Sequence, residues 1–230
     1  MTEQPDYYAD YADFKQYETP GLKPKHVRQY DTEFWGPTAC APGMAVLEIG
    51  CGTGQFLLYL ASKGIDDFLG VDFDPGVGAV MPAAIRDHFR AADIWEFLGG
   101  GAEGRTFDRI VLFDVMEHFT PADGVRLLKA LAAILRPDGR VLIRVPNNAS
   151  PWAGQYQYGD LTHLARYTSG SMKQLALAAG FECIACLPQK RKRGLRRVLE
   201  DGLHGLLNRV LTEPPDLWSA NMLAVLRART

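Results

Sequence analysis

Residues 46–60 read VLEIGCGTGQFLLYL. A β-favouring run enters a turn with glycine at 50, 52 and 54, and an apolar run at helical spacing leaves it. A strand that feeds a helix through a glycine-rich turn is the first unit of an open α/β sheet, with the helix N-terminus turned towards a ligand. The rest of the chain repeats the alternation. β-rich runs fall at 45–49, 68–72, 89–91, 109–113, 140–145 and 181–187, with helical stretches clearest at 55–63, 121–135 and 169–179. This predicts a parallel sheet with helices on both faces. A final strand is expected at 221–227. The excursion before it leaves room for the last two strands to pair as an antiparallel hairpin with a long insert. Three regions follow: an aromatic N-terminal cap or lid at 1–43, a core at 44–188 and 218–230, and a basic amphipathic helical insert at 189–217. In the cap, Tyr7, Tyr11 and Phe14 recur at helical spacing.

The glycines do not suit a dinucleotide. The G-x-G-x-x-G pattern would put its third glycine at 55, where the chain has Gln55. Glu48, two residues before the turn, would repel a pyrophosphate at the helix N-terminus but would suit a cationic ligand. S-adenosylmethionine carries an ammonium and a sulfonium centre and no phosphate. Two further acids fit that ligand. Asp72 ends the second strand, where a carboxylate can accept from both ribose hydroxyls. Asp93 follows the third, where it can accept from the adenine amino group while Ile94 supplies a backbone N–H. Each acid taken alone has a plainer reading as a helix N-cap or a solvated turn. Together they fall on one carboxyl edge of the sheet.

The segments VLEIGCGTG, GVDFDP, AADIW, FDRIVLFDVMEHF, LRPDGRVLIRVPN, LAAGF and NMLAVLRA resemble a class I S-adenosylmethionine-dependent methyltransferase, of the kind found in polysaccharide and glycan biosynthesis. The resemblance implies a Rossmann-like α/β fold, a seven-stranded, mostly parallel sheet with an antiparallel last strand. It also implies S-adenosyl-L-methionine as cofactor and carries Glu48, Gly50, Gly52, Gly54, Asp72, Asp93 and Phe113 over to the cofactor site. Phe73 and Ile94 are placed there beside Asp72 and Asp93. The acceptor is left open, because it varies widely on this fold.

Methyl transfer to a hydroxyl needs close, in-line placement and a proton acceptor. The fourth strand runs into Asp114, Glu117 and His118. The fifth runs into PNNASPWAGQYQYGDLTHLARYTSGSM, with Asp160 and His163. His163 is the expected base, with Asp160 orienting its imidazole and His118 as the other candidate. Either histidine can instead be structural. Aromatics interleaved with Asn147, Asn148, Gln155, Gln157 and Asp160 suit a sugar ring, or serve as loop packing. The expected acceptor is a sugar hydroxyl of a glycan, nucleotide sugar or glycolipid. The alternatives are a quinone-like or other small metabolite, and a cofactor-binding protein without catalysis. No metal-ligand set is evident, which disfavours a magnesium-assisted mechanism.

The insert opens with six positive charges in the eight residues 190–197. An apolar helical stripe of Leu195, Val198, Leu199, Leu203, Leu206, Leu207 and Val210 follows. The helix is read either as packed into a core or a dimer, or as a peripheral contact with an anionic membrane through 190–211. A net charge of −2 gives no global signal for nucleic acid, and no stacking aromatic interrupts the basic run. With no apolar leader or spanning run, the chain is expected to be soluble and cytoplasmic, at most peripheral at the inner face of a membrane. Cys183 and Cys186 form a lone CxxC in an expected strand, where i and i+3 should point to opposite faces. They are read as two buried thiols.

Overall fold

The structure, a computed structural model, describes residue 7 and residues 14–189 and 194–229. Strands β1 (Val46–Ile49), β2 (Phe68–Asp72), β3 (Phe89–Ala91), β4 (Phe107–Phe113), β5 (Leu135–Pro146), β6 (Phe181–Pro188) and β7 (Asn221–Ala228) form one sheet. Its order is β3-β2-β1-β4-β5-β7-β6. The strands from β1 to β5 pair in parallel, and β7 runs antiparallel to both β5 and β6. Strand order reverses beside β1, so a crevice opens at the carboxyl ends of β1 and β4, where sheets of this kind hold ligands. The fold is the expected Rossmann-like one.

Strand alternation sorts the core into two layers. Leu47, Ile49, Leu69, Val71, Ile110, Leu112 and Ile143 pack on one face against the helices Pro121–Ile134 and Ser169–Ala178. Val46, Val111, Leu142 and Val225 face the other way, against the helix Gln55–Ser62 and Tyr30 and Phe34 of the N-terminal region. There the helix Pro24–Tyr30 continues as the wider turn Asp31–Trp35. Phe34 meets Phe56 edge-on at 4.9 Å and Tyr30 meets it at 5.1 Å. Each such ring contributes on the order of 2 kcal/mol through its buried area alone.

Several sequence expectations shift. The helix expected through 135 stops at Ile134. Leu135 is already extended and pairs with Phe107, lengthening β4 and β5 at their starts. Pro137, which cannot continue a helix, and Asp138 with φ +61° account for the stop. In β6 a register shift between Cys183 and Ala185 overturns simple alternation. The extra residue turns both thiols to one side, with their sulfurs 3.5 Å apart, and both are half-buried.

The insert forms the helix Leu195–Val210, in which no residue is buried. Its apolar stripe is therefore not packed into a core. Lys190, Arg191, Lys192 and Arg193 lie outside the described residues, as does Tyr11 of the expected N-terminal helix. Among the described residues, no helix is long and apolar enough to cross a membrane.

Candidate active site

The turn after β1 has φ of +69° at Gly50, +49° at Gly52 and +87° at Gly54, a left-handed backbone that side chains rarely tolerate. A Cβ at Gly54 would stand 2.6 Å from Ile85, whereas one at Gly52 would meet nothing within 4 Å. Gly54 is needed for the close packing of the turn against Ile85 and Met81. Gly52 leaves the outer side of the turn open.

Two carboxylates frame this opening. Asp72 accepts from the Gly52 N–H at 2.8 Å and from the Asp74 N–H at 3.1 Å, tying the turn to β2. Burial raises its pKa, and these backbone hydrogen bonds oppose the rise. Glu48 is 3% exposed, and its Oε2 has no hydrogen-bond partner among the described residues. Burial pushes its carboxyl well above the usual range. Arg144 opposes that shift and Asp72 adds to it. A buried oxygen without a donor is costly, and a cationic ligand group would satisfy it. The orphaned Glu48 oxygen and the open face of Gly52 fit S-adenosylmethionine.

The other expected cofactor residues are arranged less simply. Asp93 caps the helix Ile94–Gly99, its Oδ1 accepting from the N–H groups of Trp95 at 2.7 Å and Glu96 at 3.3 Å. Ile94 opens that helix, two residues beyond Ala92, whose N–H donates to the Asp72 carbonyl at 2.9 Å. Phe73 is half-exposed next to Asp72. The Phe113 ring is buried, 5.2 Å from Phe56, with the Arg144 guanidinium 4.4 Å from its centre.

Arg144 is a site residue the sequence reading missed. From β5 it donates to both oxygens of Asp114, at 3.0 and 2.5 Å, and to Glu33 at 3.1 Å. Glu33 also accepts from Gln189 at 2.9 Å, and Gln189 accepts from Asn221 at 3.0 Å. This buried chain links the N-terminal region to β5 and β7. The only sequence signal was an arginine in the otherwise apolar run VLIRVP.

Beyond Asp114 lies a cavity of about 220 Å³, lined by Lys15, Glu117, His118, Tyr156, Asp160 and His163 among others. The structure thus brings together both candidate histidines, their rings edge-to-face with centres 4.7 Å apart. Asp160 does not orient His163 as expected. His163 Nδ1 lies 3.0 Å from the Gln157 carbonyl, a contact that requires Nδ1 to carry the proton. Asp160 Oδ1 instead accepts from the Thr162 hydroxyl at 2.5 Å, and the Thr162 oxygen lies 2.8 Å from His118 Nδ1. Thr162 was not singled out in the sequence. Burial, reinforced by His163, lowers the His118 pKa to about 4. Glu117 is buried with neither oxygen hydrogen-bonded among the described residues, and burial raises its carboxyl well above the usual range.

Ligand atoms of His118, Asp160 and His163 lie within 4.8 Å of one another, a grouping not evident from the sequence. The Lys15 ammonium already stands 3.1 Å from Asp160 Oδ2, placing a fixed positive charge at this group. Two residues on, burial and the carboxylates of Asp72 and Asp74 raise the Tyr17 hydroxyl to about 12. Residues 15–17 therefore reach both the histidine cavity and the Asp72 edge.

Residues 27–185 match the profile of a family described as a methyltransferase domain. Cyclopropane-fatty-acyl-phospholipid synthase of Escherichia coli (strain K12) is 28% identical over 122 residues, which are 50% of this chain and 31% of that one. The matched stretch thus spans about a third of the relative's length. A SAM dependent methyltransferase from Archaeoglobus fulgidus superposes with a TM-score of 0.64 at 19% identity, covering 96% of this chain and 99% of that one. Magnesium protoporphyrin IX methyltransferase from Synechocystis PCC 6803, solved with bound SAM, superposes with a TM-score of 0.61 at 13% identity over 100% of both chains. These structures share the fold.

Proposed function

The chain belongs to the methyltransferase domain family, and we propose that it moves the methyl group of S-adenosylmethionine onto a sugar hydroxyl of a glycan, nucleotide sugar or glycolipid. The reading is carried by the paired imidazoles of His118, which follows β4, and His163, which follows β5, in a cavity that Asp114 also lines. When bound, the donor supplies a methyl carbon activated by an adjacent sulfonium. The protein's residues supply the rest. Glu48 would offer its unpartnered oxygen to positive charge, and Asp72, fixed by two backbone donors, would accept from the ribose hydroxyls.

A hydroxyl nucleophile must shed its proton as the new bond forms. The Gln157 carbonyl holds the His163 proton on Nδ1, so Nε2 carries the lone pair that accepts it. His118, neutral at physiological pH because of its low pKa, adds no competing charge. The polar side chains of Gln155, Tyr156 and Asp160 suit an acceptor rich in hydroxyls. Residues 14–17 act as a cover over donor and acceptor together, through Lys15 on Asp160 and Tyr17 beside Asp74.

The test is transfer of labelled methyl from S-adenosylmethionine to sugar nucleotides and to lipid-linked sugars, with a quinol precursor run in parallel. Labelling of the sugar oxygen supports the reading. Labelling of the quinol alone moves the acceptor to the small-metabolite class. Tight donor binding without any transfer makes the chain a binding protein.

A further inference from the structure

The helix Leu195–Val210 is built inside out. Leu195, Val198, Leu199, Leu203, Leu206 and Val210 are between 50% and 74% exposed, whereas the half-buried side of the same helix carries Arg197, Glu200, His204 and Leu207. That mostly polar side lines a cleft of about 620 Å³, which it shares with Trp152 and Trp218. Trp218 stacks on His204 at 4.8 Å and Trp152 reaches the same ring at 3.4 Å, so the helix is held with its apolar stripe outward. A helix that has only the protein's own core to satisfy turns its stripe inward. This stripe faces something else.

Charge identifies what it faces. Residues 190–211 hold seven lysines and arginines against two acids, a net +5 in a chain whose total is −2. Among the described residues, Arg196 and Arg209 flank the stripe at its two ends. We propose that this helix lies in the surface of an anionic lipid bilayer, with its leucines among the acyl chains and its arginines at the head groups. Apolar area and cationic flanks are the two attractions such helices combine.

A second copy of the chain fits less well. A 16-residue helix is roughly 24 Å long, so one helix-width stripe buries only a few hundred Å² per protomer, short of the roughly 600 Å² per protomer (~1,200 Å² in all) at the low end of stable interfaces. It would also set +5 against +5.

The insert joins β6 to β7 at the same sheet edge as the crevice. Its cleft shares Gln155, Tyr156 and Asn221 with the histidine cavity. Contact through the stripe sets the mouth of that cavity beside the lipid head groups. The contact does not depend on which acceptor the cavity takes.

The experiment is co-sedimentation of the full chain with vesicles of phosphatidylglycerol and phosphatidylcholine, and with phosphatidylcholine alone. Binding to the anionic vesicles that weakens as salt rises is expected. The triple substitution Leu199→Gln, Leu203→Gln and Leu206→Gln replaces only exposed side chains and should lower the vesicle affinity by at least about 100-fold. An unchanged thermal melt will show that its fold is intact. Arg196→Gln and Arg209→Gln should each cost roughly fivefold. No sedimentation of the wild type overturns the proposal, as does binding unaffected by the leucine triple. A concentration-dependent dimer that the triple dissociates also overturns it, in favour of a second copy.

Discussion

The hydroxyl of Thr162 lies 2.8 Å from Nδ1 of His118 and donates to Asp160 at 2.5 Å. A carboxylate thus governs an imidazole through an intervening alcohol. With Asp160 as the acceptor, the hydroxyl oxygen is left to accept the His118 Nδ1 proton, and the ring is held in one tautomer.

Thr162→Val keeps the shape and removes the relay. The loss of a hydrogen bond to a charged group should lower the unfolding free energy by ~1.5–3 kcal/mol. Thr162→Ser should restore most of it. His163→Ala should lower kcat by roughly 10²–10⁴-fold, while leaving the donor Kd nearly unchanged by calorimetry. If His118→Ala loses turnover and His163→Ala keeps it, the base is His118.

His118 gives a sign-definite pH effect. Its folded pKa of about 4 lies below the ordinary histidine value of 6.5, so the unfolded chain binds more protons between those values. The stability linked to His118 is complete above pH 6.5 and is lost as pH falls towards 4, by about 2–3 kcal/mol. The difference in unfolding free energy between wild type and His118→Asn should therefore change across that window. A ring that NMR finds protonated at pH 5.5 would contradict the burial argument.

Glu48 carries the opposite sign. Its folded pKa is raised above 4.5 by burial, so its favourable contribution is present at low pH and is lost as pH rises through the folded value. Glu48→Gln should then be more stable than wild type in alkaline buffer without donor, yet bind S-adenosylmethionine roughly 10- to 100-fold more weakly. Asp72→Ala should weaken the donor by about 30- to 1000-fold, from two lost hydrogen bonds partly replaced by water. NAD should not compete. Calorimetry checks all three.

Chelation tests the histidine–carboxylate group. With the Lys15 ammonium on Asp160, exhaustive treatment with EDTA should leave the methyl-transfer rate unchanged. A rate that falls on chelation and returns with one divalent ion would make His118, Asp160 and His163 metal ligands.

Much of the glycine-turn crevice was legible because it is local. The glycines at 50, 52 and 54, the acid at 48 and the acid closing β2 lie within one strand-turn-helix-strand unit, and their spacing along the chain sets their spacing in the fold. The histidine cavity is not local. Thr162 lies 44 positions from His118, and Glu33 lies 111 positions from Arg144, so no window on the sequence joins them. Alternation predicted opposite faces for Cys183 and Cys186, and a single extra residue in the β6 ladder cancelled it. The stripe at 195–210 was visible as a stripe, but periodicity is blind to which way it points. The orientation came from the polar side chains opposite, which have Trp152 and Trp218 to hold them.

The β6–β7 connection has one more consequence. Because β7 is inserted between β5 and β6 and runs against both, the chain must leave the sheet and return on the side where the crevice opens. A hairpin tip tolerates added length cheaply, since closure entropy grows only with the logarithm of the loop. Descent can therefore lengthen, shorten or recolour this tip while the strand-and-glycine frame at the other end of the crevice stays untouched. The glycine-turn frame and this outward-facing tip are written in separable stretches of the polypeptide, so exchanging residues 189–220 between relatives should change attachment to vesicles and leave the S-adenosylmethionine affinity in place.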